Sequence, residues 1–291
     1  MPRHFLTGEE LSRDEIEYLL NRATELKRDP HASRALAGQT VALIFEHPST
    51  RTRVSFEVGI FEMGGQPMIL RPGEMQISRG EAIRDVATVL SRHVAAIGLR
   101  TGDEQMLQDL ARYATVPVIN MLSPLHHPCQ VLADLLTIKE AFGEVSGRCL
   151  TYVGDGNNVA RSLAVVGARA GVDVRIASPD GYALQEDHGA TLFADPVAAV
   201  AGADAVYTDV WLSMGDDEST ASRRREALSP FRLDDELLDR AAPNAIALHC
   251  LPAHPGDEIS EEVLYGRRER IWDQAENRRH AQKALLELLV S

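Results

Sequence analysis

The sequence predicts an α/β protein built as two doubly wound, mostly parallel-sheet domains. Three observations predict it. Short β-branched runs alternate with helical patterns along nearly the whole chain. The alternation stops at a glycine-marked break near residue 145 and then restarts with the same grammar. At 291 residues, the chain is long enough to bury two cores of ordinary size.

The first half opens on a helix over ELSRDEIEYLLNRATELK, where Ser12 and Glu15 form a capping box and Ile16, Leu19, Leu20 and Ala23 share one face. TVALIF (40–45) reads as a strand, followed by a helix from about 52 to 63 that Gly64 and Gly65 end. PMIL, VAAIGL and VPVINM continue the strands, with helices over EAIRDVATVLSRH and EQMLQDLARYA between them. A helix from Pro128 to Phe142 closes this half, and Gly143 and Gly147 mark the boundary. In the second half the strands are RCLTYVG, VRIAS, AVYTDV and AIALHCL. Helical patterns fall in DGNNVARSLAVVGARAG, DPVAAVAGA, DDELLDRAA and the terminal ENRRHAQKALLELLV, while ESTASRRREAL (218–228) reads as a mobile loop. Domains of 1–145 and 146–275 are expected, the first completed by the last helix, 276–291.

Composition narrows the partners. With 44% hydrophobic and 25% charged residues the chain falls among folded soluble proteins, and its apolar runs fall short of the roughly 18 residues of a membrane span. The first residues turn acidic too soon for a signal peptide, so a cytoplasmic location is the expectation. A net charge of −13 disfavours a nucleic-acid backbone, so any anion site must be local. Cys129, Cys149 and Cys250 are odd in number and widely spaced, which argues against a disulfide framework and a structural zinc.

Polar groups recur where strands end, and parallel α/β sheets bind ligands there. HPSTRTR follows the first strand, at a predicted helix start whose unpaired N–H groups and positive dipole end favour an anion. Two guanidiniums and three hydroxyls would complete a phosphate cradle; the plain alternative is a Ser49 or Thr50 N-cap with arginines facing solvent. Arg100-Thr101, HHPCQ (126–130), GDGNN (154–158), Asp209 and HCLP (249–252) occupy later strand ends. Each also has a structural reading: His127 as a cap beside Pro128, Cys129 and Cys250 as small core residues, Arg278 on an exposed turn. GDGNN lacks the third glycine of a dinucleotide fingerprint and no P-loop occurs, so a hydride-transferring NAD enzyme is the weaker reading.

In order along the chain, STRTR, HPCQVLADLLTI, GDGNN, DVWLSMG, HCLP and ENRRHAQKALL resemble the aspartate/ornithine carbamoyltransferase family, the last four its ornithine branch. That resemblance implies an active site in a cleft between the two domains. It implies that Ser49, Thr50, Arg51 and Thr52 clamp the phosphate of carbamoyl phosphate, and that Arg100 bridges phosphate and carbonyl oxygen. His127 and Gln130 would hold the carbamoyl group, Arg278 would complete the site, and Cys250 and Leu251 would border it. Asn158, Asp209, Ser213 and Met214 would hold ornithine, with Asp209 and Cys250 nearest the reacting amine and Cys250 as a thiolate stabilised by arginines. The implied catalytic set is Arg100, His127, Asp209 and Cys250, with no metal or cofactor.

The family also implies a homotrimer with shared active sites, Gln76 reaching a neighbour, and citrulline formation in arginine biosynthesis. Three departures bear on the amine: a short segment at 178–200, Pro255 where relatives often carry arginine, and no acidic residue before His127-Pro128. Acetylornithine, putrescine or another diamino acid therefore stand as alternative substrates, and a non-catalytic binding paralogue as an alternative role.

Overall fold

The computed structural model describes residues 2–212, 219 and 221–291. The chain divides into two compact units, Met1–Leu136 with Glu276–Ser291, and Thr137–Ala275.

In the first unit, α1 (Arg13–Arg28) starts at Ser12, whose side chain accepts from the Glu15 N–H while Glu15 reaches back to the Ser12 N–H, the reciprocal box that the sequence predicts. The chain then alternates β1 (Thr40–Phe45), α2 (Thr50–Glu62), β2 (Gln66–Leu70), α3 (Ile83–Leu90), β3 (Ala96–Arg100), α4 (Glu104–Tyr113) and β4 (Val118–Leu122). All pairings are parallel, in the order β2-β1-β3-β4. Five consecutive residues of β1, from Val41 to Phe45, are buried, as a strand covered on both faces requires. Phe5 pairs with the outer edge of β4 through Phe5 N–H to Val118 O (2.9 Å) and Asn120 N–H to Phe5 O (2.8 Å), which protects that edge. Ala42, Ile44, Ile97, Leu99, Leu107 and Leu110 are central to one core layer.

After α5 (Pro128–Phe142) the second unit runs β5 (Cys149–Val153), α6 (Asn158–Ser162), β6 (Asp173–Ala177), β7 (Thr191–Phe193), α7 (Pro196–Val200), β8 (Ala205–Thr208), α8 (Ala221–Leu228), α9 (Asp235–Leu238), β9 (Ile246–His249) and α10 (Glu261–Leu264). The last helix, α11 (Ile271–Val290), carries the chain back to the first unit. The second sheet is also all parallel, ordered β7-β6-β5-β8-β9, around a core that includes Val153, Val206, Phe231, Leu233, Ala247 and Ile271. Both sheets reverse their winding once, between β1 and β3 and between β5 and β8, and such switch points are where open parallel sheets take ligands.

The differences from the sequence reading have local causes. Residues 221–228 form α8 where a loop was expected; the segment is rich in arginine and lacks an apolar stripe, and Arg224 secures it by donating to Asp155 and to the Trp211 carbonyl. Three-residue β7 is too short and too exposed to show periodicity. α11 begins at Ile271, five residues before the expected helix. Among the described residues no helix is long and apolar enough to cross a membrane.

Candidate active site

At the first switch point, Ser49 caps α2, its Oγ accepting from the Thr52 N–H at 3.4 Å. The helix start therefore uses the plain N-cap that the sequence allows, and places Thr50, Arg51 and Thr52 in its first turn. Thr52 is buried and its Oγ1 accepts from Arg278 Nη2 at 2.7 Å, leaving the hydroxyl proton to donate elsewhere. Arg278 Nη1 donates to Gln130 Oε1 and stands 3.4 Å from His127 Nε2. Gln130 in turn donates from Nε2 to Asp134 Oδ1 at 2.8 Å. Arg278 is 2% exposed, which overturns its reading as an exposed-turn residue. Four side chains from α2, the start of α5 and α11 thus meet in one hydrogen-bonded group.

A guanidinium N–H only donates, so the facing His127 nitrogen accepts and the ring is neutral. Burial holds the His127 pKa well below the usual imidazole value, and the charges of Arg278, Arg100 and Arg51 push it the same way. Three cations therefore act on one neutral imidazole. Arg51 has no ion pair among the described residues. Arg53 pairs instead with Glu57 at 2.8 Å on the helix surface, so only one of the two STRTR guanidiniums belongs to this group. Arg100 ends β3, its carbonyl accepting from the Glu46 N–H at 3.0 Å. Cys129 is a buried thiol donating to the Asn120 carbonyl at 3.3 Å, and burial pushes its pKa up to about 12, in keeping with its core reading. Gln76 lies exposed in a short 3-10 turn, bonded to Arg79 at 3.4 Å and to none of the four grouped side chains.

At the second switch point the charge is opposite. Asp209 follows β8 and is buried; its Oδ2 accepts from Asn157 Nδ2 and its Oδ1 from Cys250 Sγ, both at 2.8 Å. The charged group that Cys250 Sγ meets in this contact is thus a carboxylate, to which its S–H donates. Asn157 also caps α6, its Oδ1 accepting from the Val159 and Ala160 N–H groups. Its neighbour Asn158, the residue singled out in GDGNN, is the first residue of α6; Asn157 adds to it, and the cap position before a helix is the signal for it. Gly156 must be glycine, since a Cβ there would lie 2.6 Å from the Leu184 nitrogen and 2.7 Å from the Tyr182 oxygen. Burial and the nearby Asp209 and Asp155 charges raise the Tyr152 pKa well above its ordinary value. Ser213 and Met214 lie outside the described residues.

The turn that carries Cys250 is held from beneath. His249 Nδ1 accepts from the Leu251 N–H at 2.8 Å, so the proton sits on Nε2, 3.1 Å from Glu258 Oε1. His249 and Glu258 are fully buried, and Leu251 is held at φ +61°, a left-handed conformation uncommon for leucine. His249 opens the HCLP motif, but nothing in the sequence singles out Glu258, one acidic residue among many. Ligand atoms of Asp209, His249 and Cys250 lie within 4.8 Å of one another, yet both His249 nitrogens and the thiol are already committed to the bonds above.

Two parallel-sheet domains, one gathering cations around a neutral imidazole and the other holding a carboxylate with a thiol, make up this α/β enzyme. Residues 3–140 match the carbamoyl-phosphate-binding domain of aspartate/ornithine carbamoyltransferases, and residues 146–289 match their aspartate/ornithine-binding domain. The chain belongs to the aspartate/ornithine carbamoyltransferase family. It is 53% identical to an ornithine carbamoyltransferase of Acidothermus cellulolyticus, over all of this chain and 97% of that protein. Among solved structures it resembles the Pyrococcus furiosus ornithine carbamoyltransferase (45% identity, TM-score 0.93, covering 99% of this chain and 97% of that one). The Thermus thermophilus enzyme is similar as well (41% identity, TM-score 0.92, all of both chains).

Proposed function

We propose that the protein transfers the carbamoyl group of carbamoyl phosphate to the side-chain amine of L-ornithine, giving L-citrulline and phosphate. The observation that carries this reading is the joining of Arg278, Thr52 and Gln130 beside a neutral His127 that also feels Arg51 and Arg100. Carbamoyl phosphate is an anion with a reactive carbonyl, and such a group supplies positive charge for the phosphate and neutral donors for the carbonyl. Arg51, Arg100 and Arg278, with the start of α2 and its residues Ser49 and Thr50, hold the phosphate. Thr52, His127 and Gln130 face the carbamoyl group, where preplaced donors stabilise the oxyanion as it forms.

The second substrate brings a cation. An alkylammonium has a pKa of about 10.4 and attacks only after losing a proton. Asp209 is the buried carboxylate that attracts the ammonium and takes its proton, while the Cys250 thiol and Asn157 orient that carboxylate. Asn158, Ser213 and Met214 hold the amino-acid end, and Leu251 lines the carbamoyl phosphate side. The amine nitrogen then bonds to the carbonyl carbon, the bond from that carbon to the bridging oxygen breaks, and the remaining excess proton on nitrogen passes to the phosphate, which departs on the arginines as hydrogen phosphate. The protein works in the cytoplasm, in arginine biosynthesis, as a homotrimer in which Gln76 serves the neighbouring subunit. Purified protein given carbamoyl phosphate and a panel of amines is expected to form citrulline from ornithine. Product from acetylornithine or putrescine in preference to ornithine, or from no amine, would overturn the assignment.

A further inference from the structure

α11 is seated in the first unit by a second polar group, away from the one that includes Arg278. Lys283 is fully buried, and its ammonium donates to Glu62 Oε2 at 2.6 Å, the Pro30 carbonyl at 2.9 Å and the Leu26 carbonyl at 3.3 Å. Three donors meet three acceptors. Leu26 is in the last turn of α1, so the cation also sits at the negative end of that helix. Arg279, one helical turn earlier on the same face, pairs with Glu62 Oε1 at 3.3 Å, and Lys27 donates to the buried Asn277 at 2.7 Å. Gly59 supplies the notch: a Cβ there would lie 3.1 Å from Lys283 Cγ and 3.6 Å from the Arg279 carbonyl oxygen.

Buried ion pairs are weak evidence of stability, because apolar replacements are often neutral; their best-attested use is to fix register. Register matters here because the same helix carries Arg278. A slip of one residue moves a helical side chain about 1.5 Å along the axis and about 100° around it. Arg278 meets Thr52 at 2.7 Å, and no such contact survives that displacement. Glu62 and Thr52 belong to one helix, α2, so the Lys283 pair and the Arg278 contact fix the same two helices at two points.

We infer that Lys283 is a positioning residue for the carbamoyl phosphate site: with Glu62 and the Gly59 notch it sets the register in which α11 presents Arg278 to Thr52, Gln130 and His127. The inference rests on the carbamoyl-transfer reading, and the experiment separates the two. If the wild-type protein carbamoylates no amine, that reading fails by itself. In an active protein, Lys283→Met is expected to raise both the KM for carbamoyl phosphate and the Kd for inorganic phosphate about tenfold. The KM for the amine should stay within about twofold. Glu62→Gln keeps the shape and an acceptor for Lys283, so a smaller rise of about threefold is expected, and it serves as the test if Lys283→Met does not fold. The double variant should lose less than the product of the two single losses, since each single change strands a buried partner. A lowered melting temperature with unchanged phosphate affinity, or an equal rise in both KM values, would overturn the positioning role.

Discussion

The two switch points are alike in construction and opposite in charge. Each lies where a parallel sheet reverses its winding, and each draws polar residues from the ends of neighbouring strands. Between β1 and β3 those residues include Arg51 and Arg100, to which α11 adds Arg278, and their charges add to burial in keeping His127 neutral. Between β5 and β8 they are Asn157 and Asp209, to which the turn after β9 adds Cys250. The fold therefore supplies the place and the strand-end residues supply the sign. An anion and an ammonium are what such a pair would sort, in a protein whose net charge of −13 does not predispose it to hold phosphate.

Removing the positive side should give the largest effect. Arg51→Ala is expected to lower kcat/KM for carbamoyl phosphate roughly a thousandfold, the loss of about two charge-assisted hydrogen bonds of roughly 1.5 to 3 kcal/mol each. Far-ultraviolet circular dichroism and the melting curve should be unchanged, since Arg51 has no ion pair among the described residues. Turnover near the wild-type value would break the comparison at its cationic end. On the negative side, Asp209→Asn should lower kcat/KM for the amine about a hundredfold, the scale of a lost general base, while calorimetry finds phosphate binding intact. An equal loss of phosphate affinity would show that the two units do not divide the proposed substrates between them.

How much of this the sequence displayed depends on the range of the interaction. Alternating strand and helix patterns are local, and they marked both parallel sheets, with the short exposed β7 as an omission. The strand-end motifs are local too, so STRTR, HHPCQ, GDGNN and HCLP stood out before their partners were known. What stayed hidden is pairing across the chain. Nothing near Arg278 shows that it will be buried against Thr52, 226 positions away, and nothing near Lys283 points to Glu62, 221 positions away. That Asn157 caps α6 while also meeting Asp209 is a one-residue matter at a helix boundary, again settled by a partner 52 positions away. Nor does anything near Cys250 point to the Asp209 carboxylate that it meets, 41 positions away.

A smaller effect sharpens the negative side. Cys250→Ala removes the S–H that orients Asp209 but leaves the Asn157 bond, so the amine KM should rise about tenfold. Carbamoyl phosphate affinity should move less than twofold, and a larger shift there would place the thiol on the wrong substrate.

The smallest effect concerns stability alone and belongs to the cationic side. His280, on α11, has its pKa lowered to about 4, first by burial and then by Arg279, Lys283 and Lys27, with Glu62 opposing. His127 is lowered as well. In the unfolded chain both titrate near 6.5. Below that pH the unfolded chain binds protons that the folded protein refuses, so unfolding becomes easier with each step toward acid. Stability should be full above about pH 6.5 and fall as the pH drops toward 4, where His280 also protonates in the folded protein. His280→Gln should flatten part of that slope in urea titrations at several pH values, leaving the His127 part. If His280→Gln left the slope unchanged, His280 would not be held neutral among the basic groups of α11, and the cationic character of the first unit would end at Arg278.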